Sequence, residues 1–305
     1  MLGIVAHDAG GAEILSSYIR RNNIECLFCL EGPAKKIFER KLGEIENRLL
    51  EDLLGNCDRL LCGTSILSDF EWTALKQARE SNIWTVAVLD HWINYQQRFV
   101  RNEASCFPDE IWAGDEIAYR LVESEIPESA VKLVANAYFM DLADKFAEIP
   151  VGSRDGQGLR ILFVCEPLRN EGLSLFGNER YWGHTEEEAM RYFLSNLQAL
   201  SQKIHRITLR AHPRESHDKY DWASEEFDLP ITTGEIKSLE EQIAESDVVV
   251  GGGTMAMVVG LIARKRVVCC LPPNSKVMRL PHKEVEAMSE FVKWLEDQEI
   301  VQGKS

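Results

Sequence analysis

The sequence predicts an α/β protein built of two doubly wound, Rossmann-like domains facing a central cleft, a GT-B-like arrangement, on three observations. Short apolar runs alternate with segments of helical periodicity from end to end, the pattern of parallel sheets covered by helices on both faces. Residues 248–273 (VVVGGGTMAMVVGLIARKRVVCCLPP) read as strand, glycine turn, helix and strand, one complete βαβ crossover. Residues 150–158 (PVGSRDGQG) are the one stretch rich in Gly, Ser and charge between apolar runs, and divide the 305 residues into halves of domain size, 1–149 and 159–305.

Taken in order, residues 3–7 (GIVAH) form the first strand, and Gly10 and Gly11 a turn where a substrate can approach the N-terminus of a helix with Ile14, Leu15, Tyr18 and Ile19 on one face. Residues 26–30 give a strand, 33–42 and 45–54 helices, and 59–62 a strand. Ser68-Asp69-Phe70-Glu71 has the form of a capping box and opens a helix to about residue 81. Residues 84–89 (WTVAVL) are a fully apolar strand that delivers Asp90, His91 and Trp92 at its end. Strands at 111–113 and 131–134 flank a helix at 116–123 and complete the first domain. The second domain opens with a strand at 159–165 and a long glycine-punctuated loop at 170–184. A helix capped at residues 185–188 then runs to about 203, and a strand follows at 206–211. A capping box at residues 238–241 opens the helix before the crossover, and an amphipathic helix at 284–295 closes the chain and is expected to pack back on the first domain.

Three glycines let a backbone approach a ligand closely, and Thr254 with the free N–H groups of the first helical turn makes an anion site there. A tight turn that only packs helix on strand is the plainer alternative. Residues 248–263 are uncharged but shorter than a membrane span and broken by glycines. Gly251-x-Gly253-x-x-Ala256 meets the loose dinucleotide pattern, yet the acid required some 20 positions on is replaced by Cys269-Cys270-Leu271-Pro272, and the next acid is Glu284. NAD is therefore disfavoured.

A net charge of −15 argues against nucleic acid as a partner. The N-terminus lacks the basic and apolar regions of a secretory signal, and five of eight cysteines sit inside apolar runs, as free thiols in a reducing cytoplasm do. Cys26-x-x-Cys29 lies along a strand, its side chains on opposite faces, with no second pair for zinc. No metal or cofactor is called for.

Ligands of doubly wound sheets bind beyond the C-terminal strand ends. The first half delivers His7, Asp8, Asp90 and His91 there, carboxylates and imidazoles suited to proton transfer. As neighbours on a strand end, His7 and Asp8 are expected to point apart. Which of the four is the base stays open, and each could instead be a core or capping residue. The second half delivers Glu166, Arg169, Arg210, His212, Arg214 and the Gly252-Gly253-Thr254 loop, groups suited to a diphosphate. Trp92 is placed to stack on a sugar ring, and His184, Tyr181 and Trp182 are further candidates in the long loop.

The stretches Pro108-Asp109-Glu110-Ile111-Trp112-Ala113-Gly114, Val134-Ala135-Asn136-Ala137-Tyr138, Arg210-Ala211-His212-Pro213-Arg214 and Gly252-Gly253-Thr254-Met255-Ala256, in this order, resemble the GT-B superfamily: two-domain glycosyltransferases and the UDP-N-acetylglucosamine 2-epimerase-like enzymes. The resemblance implies a nucleotide-sugar donor on the C-terminal domain, a sugar or lipid-linked acceptor on the N-terminal one, and a setting in cell-surface polysaccharide or glycoconjugate synthesis. A lipid-linked acceptor would bring the protein to a membrane surface peripherally. The family's ribose-binding acid falls at Val258, its Gly-Asn-Pro at Ala135-Asn136-Ala137 and its Gly-Lys-Pro at Arg264-Lys265-Arg266. The leading expectation is a metal-independent glycosyltransferase. A nucleotide-sugar epimerase or hydrolase of the same fold, and a non-catalytic sugar-nucleotide or anion-binding protein, are the alternatives.

Overall fold

A computed structural model describes residues 1–66, 68–149, 158–201, 203–216, 218–234, 236–277 and 280–302. The chain separates into two compact units, Met1–Asp141 and Leu142–Ser305. The division falls inside a helix, while most of the linker expected at residues 150–158 lies outside the described residues.

In the first unit the strands are β1 (Leu2–Ala6), β2 (Cys26–Leu30), β3 (Arg59–Cys62), β4 (Trp84–Val88), the short antiparallel pair β5 (Val100–Arg101) and β6 (Ala104–Ser105), β7 (Glu110–Ala113) and β8 (Ala130–Leu133). Its helices are α1 (Ala9–Asn22), α2 (Gly32–Leu42), α3 (Leu50–Gly55), α4 (Phe70–Glu80), α5 (Tyr95–Phe99), α6 (Glu116–Glu125) and α7 (Ala137–Glu148), the last crossing into the second unit. Six strands form one sheet in the order β2-β1-β3-β4-β7-β8, every pairing parallel.

The second unit holds β9 (Leu159–Val164), β10 (Ile204–Arg210), β11 (Ile231–Thr232), β12 (Val248–Gly251), β13 (Arg266–Cys269) and β14 (Val285–Ala287). These form a second parallel sheet, β11-β10-β9-β12-β13-β14. The helices are α8 (Leu168–Phe176), α9 (Glu186–Ser195), α10 (Trp222–Glu226), α11 (Leu239–Glu245), α12 (Met255–Ile262) and α13 (Met288–Gln302). The first turns of α13 pack on this unit's own core through Met288, Phe291 and Val292.

In each sheet the chain winds outward to one side, then returns past its starting strand to the other. The reversal lies between β1 and β3 in the first sheet and between β9 and β12 in the second. Loops leaving two such strands diverge and open a crevice at their C-terminal ends. His7 and Asp8 follow β1, Glu166 follows β9, and the three glycines begin at the end of β12.

Five local expectations are corrected. β1 ends at Ala6, and Gly10 and Gly11 lie in the first turn of α1 rather than in a turn before it. The helix expected from residue 45 starts only at Leu50, because Asn47 hydrogen-bonds both the amide (2.7 Å) and the carbonyl (3.2 Å) of Leu30 at the edge of the sheet. Residues 68–71 form no capping box: Asp69 is the N-cap, without a side-chain cap bond, and Glu71 turns inward. The loop expected at 170–184 begins as helix α8, whose Leu173, Leu175 and Phe176 stay exposed and so leave no buried stripe to read. The helix after Thr185 is shorter than expected and ends at Ser195. The boxes at Thr185/Glu188 and Ser238/Glu241 are formed.

Candidate functional site

The crevice of the first unit is built around His7 and Asp8. Both lie past the end of β1, so strand alternation no longer governs them and the expectation that they point apart is corrected. His7 Nδ1 and Asp8 Oδ1 are 2.7 Å apart. A carboxylate can only accept, so Nδ1 carries the hydrogen and Nε2 is left as the basic nitrogen. Glu71 Oε1 accepts the His7 amide at 2.8 Å and fixes its backbone. Burial raises the Glu71 carboxyl pKa above its usual value, and its Oε2 is buried without a hydrogen-bond partner. Sequence reasoning missed this role; the signal available was an acid at a helical position whose neighbours Ala74, Leu75 and Ala78 are core residues.

Nε2 of His7 packs over Gly32, whose φ of +49° lies in the left-handed region. A Cβ there would stand 2.8 Å from Nε2. Gly32→Ala is therefore expected to cost about 1–3 kcal/mol in urea unfolding and to displace the imidazole; an unchanged midpoint would show that the loop yields freely.

Asp90 leaves the end of β4 and comes down on α1, where a Cβ on Gly10 would overlap its Oδ2. Its other oxygen is 2.7 Å from Arg98 Nη1. The Gly11 backbone passes close to Gly63, with a Cβ on it 3.1 Å from Gly63 Cα. His91 Nδ1 accepts the Trp92 amide at 2.9 Å. Trp92 is buried, its indole N–H donates to Asp115 at 2.8 Å, and its ring stacks on Phe139, so its expected place against a sugar is corrected.

In the second unit one amide of the glycine loop is already engaged. Gly253 N–H donates to Glu166 Oε2 at 3.1 Å, and a Cβ on Gly252 would overlap the same carboxylate oxygen. The Thr254 hydroxyl caps α12 through the Ala256 amide. Burial, only partly offset by the Gly253 amide, pushes the Glu166 carboxyl up to about 7. Val258 is 3 % exposed and belongs to the core, so the crossover helix has no surface place for an acid there.

The basic residues are engaged as follows. Arg210 is half-buried and donates to the Lys237 carbonyl (2.9 Å) and to Gln242 Oε1 (2.6 Å); burial lowers its pKa. The His212 amide donates to Glu215 at 2.9 Å, while burial and then Arg214 lower the imidazole's pKa. Arg214 is exposed and pairs with Glu171; Arg169 pairs with Glu179 and Glu187 on the flank of α8 and α9. Glu166 is held against the glycine loop, and the Arg214 amide donates to His212 Nδ1 at 3.2 Å. Tyr181 and Trp182 form an aromatic cluster with Phe176, the Phe176 and Tyr181 rings stacked at 3.5 Å.

Two stretches that resemble family motifs act here as staples. Asp109 accepts both the amide (2.8 Å) and hydroxyl (2.7 Å) of Thr85, tying β7 to β4. Asn136 Oδ1 accepts the Tyr138 and Phe139 amides at the start of α7. All eight cysteines are free thiols. Among the described residues no helix is long and apolar enough to cross a membrane.

No protein-family model matches the chain, and no curated protein matches it by sequence. Solved structures do match by fold. UDP-GlcNAc 2-epimerase from Methanocaldococcus jannaschii superposes with a TM-score of 0.60 at 14% identity, covering 97% of this chain and 91% of that one. A structure of the same enzyme in complex with UDP-GlcNAc and UDP gives 0.57 at 13%, with the same coverage. A putative UDP-N-acetylglucosamine 2-epimerase from Listeria monocytogenes gives 0.60 at 10%, covering 88% of this chain and 78% of that one. At these identities the likeness is one of fold, and the fold is GT-B, as the sequence motifs suggested.

Proposed function

We propose that the protein is a nucleotide-sugar enzyme that transfers the sugar to an acceptor hydroxyl, with His7 as general base. The carrying observation is the His7–Asp8 pair at the reversal point of the first sheet: an imidazole whose Nδ1 is committed to a carboxylate and whose Nε2 is left to take a proton. Asp90 and His91 are less suited, one paired with Arg98 and the other accepting a backbone amide. The second unit holds the donor diphosphate near the glycine loop, with His212 and Arg214 beside it. A GT-B fold over nearly the whole chain supports a nucleotide-sugar ligand, since its structural neighbours include an enzyme solved with UDP-GlcNAc and UDP.

A second reading, epimerisation or hydrolysis without an acceptor, is favoured by those neighbours being UDP-GlcNAc 2-epimerases and by Glu166, a carboxyl able to hold or give a proton near neutrality. Incubation with UDP-, GDP- and CMP-sugars, with and without sugar or lipid-linked acceptors, separates the two. Transfer predicts donor consumption only when an acceptor is present. Consumption of the donor without acceptor, giving an epimer or free sugar, overturns transfer in favour of the second reading.

A further inference from the structure

Glu166 stands where an anion approaching the start of α12 would have to go. Its Oε2 takes the Gly253 amide, and only the missing side chain of Gly252 gives the carboxylate room. Behind it lies a cavity of about 20 Å³ whose walls include Glu166, His184, Glu186, Gly252 and Cys270, space for about one water molecule. His184 is 3 % exposed, and neither ring nitrogen has a hydrogen-bond partner. The Trp182 carbonyl, which also accepts the Lys276 amide, lies near one ring nitrogen and leaves the other facing no acceptor or donor of the protein. A buried imidazole with an unsatisfied nitrogen at the wall of such a cavity marks it as a place for a polar guest.

The titratable groups facing Glu166 come from every element around it. Helix α8 contributes Glu171, paired with Arg214, and α9 contributes Glu186, paired with Lys219. Cys165 and Cys270, at the ends of β9 and β13, are thiols whose pKa burial raises well above the usual value, so they stay neutral. Burial lowers the His184 pKa and keeps that ring neutral. Helix α12 carries no ionisable residue. Among the described residues no lysine or arginine pairs with Glu166, so the ionised neighbours nearest it are carboxylates.

We infer that this mouth accepts an anionic phosphoryl oxygen only together with one proton, Glu166 staying in place as a neutral acid that keeps the Gly253 amide on one oxygen and donates to the ligand from the other. An ionised carboxylate in contact with a phosphoryl oxygen would set two anions against each other in a site with little water, which favours the protonated acid. Burial pushes the Glu166 carboxyl up to about 7, so part of that proton is in place near neutral pH before any ligand arrives. The balance is simple: the bound anion, Glu166 carboxylate and one solvent proton give the complex, and no covalent bond changes.

The inference rests on the nucleotide-sugar reading for the identity of the anion, and the test keeps the two apart. Binding of UDP-N-acetylglucosamine, GDP-mannose and ADP-glucose, whose diphosphate diesters keep a constant charge from pH 6 to 9 and of which ADP-glucose has no base proton to lose there, is measured by calorimetry in buffers of different ionisation enthalpy. Sulfate serves as the bare-anion probe. The dissociation constant of whichever probe binds is expected to rise toward tenfold per pH unit above about 7, with one proton taken up near pH 8. Glu166→Gln, which keeps both the acceptor and the donor, is expected to bind at pH 9 as tightly as the unaltered protein does at pH 6, with no proton uptake. Equal affinity at pH 6 and 9 without proton uptake overturns the inference and leaves the nucleotide-sugar function standing. Proton-linked sulfate binding with no response to any nucleotide sugar does the reverse, and no binding of any probe at any pH overturns both.

Discussion

Replacing Arg98 by alanine is expected to destabilise the first unit by about 3–5 kcal/mol, the usual cost of leaving a buried charge without its partner. Arg98 is 6 % exposed, and its Nη1 donates to Asp90 (2.7 Å), to the Thr64 carbonyl (2.8 Å) and to the Thr64 hydroxyl (2.9 Å). One guanidinium thus ties the end of β4 to the loop that leaves β3, across the floor of the crevice. Its removal leaves the Asp90 carboxylate facing Gly10 with no counter-charge and the Thr64 carbonyl without this donor. Arg98→Met combined with Asp90→Asn takes away both charges, so the pair of changes is expected to cost less than Arg98→Ala alone. Urea unfolding of the three proteins reads the difference as a shift in midpoint. A single variant within 1 kcal/mol of the parent would mean that Asp90 is solvated well enough to stand alone, and would return it to the candidates for the base.

Strands buried on both faces announce themselves as unbroken apolar runs, which is why residues 84–89 and 159–165 and the crossover at 248–273 were legible with their order and direction. Elements whose position depends on a distant partner were not. Asn47 gives up helix for the edge of β2, and α8 keeps its apolar residues exposed, so neither leaves a periodic trace. Strand ends can be placed from the sequence, but the bonds made by the residues beyond them cannot. Two-residue alternation set His7 against Asp8, whereas the chain had already left the strand and the side chains joined. Glu71 looked like one half of a capping box, a local motif, while its partner is the amide of His7 sixty-four residues away. Nothing in the glycine loop's own sequence shows that Glu166, from another strand, takes the Gly253 amide.

His7→Ala is expected to lower kcat by 10²–10⁴, the range that a positioned general base contributes, while leaving donor binding close to that of the parent. The separation follows from where the groups lie: His7 belongs to the first unit, and the groups proposed to hold the diphosphate belong to the second. Steady-state kinetics with a donor and acceptor found in the substrate panel, alongside calorimetric binding of the donor, reads both quantities. Added imidazole should restore part of the rate, since the variant leaves a space above Gly32 and an Asp8 carboxylate that still accepts a ring N–H. Asp8→Asn tests the pair from the other side. It keeps the size of the group but removes the charge that orients Nδ1–H and stabilises the imidazolium formed as the acceptor gives up its proton, so kcat should fall while donor affinity holds. Glu71→Gln retains an acceptor for the His7 amide and should fall between the parent and Asp8→Asn. If His7→Ala keeps its rate within twofold, the base lies elsewhere, and Glu166, a carboxyl near neutrality in the second unit, becomes the first group to replace.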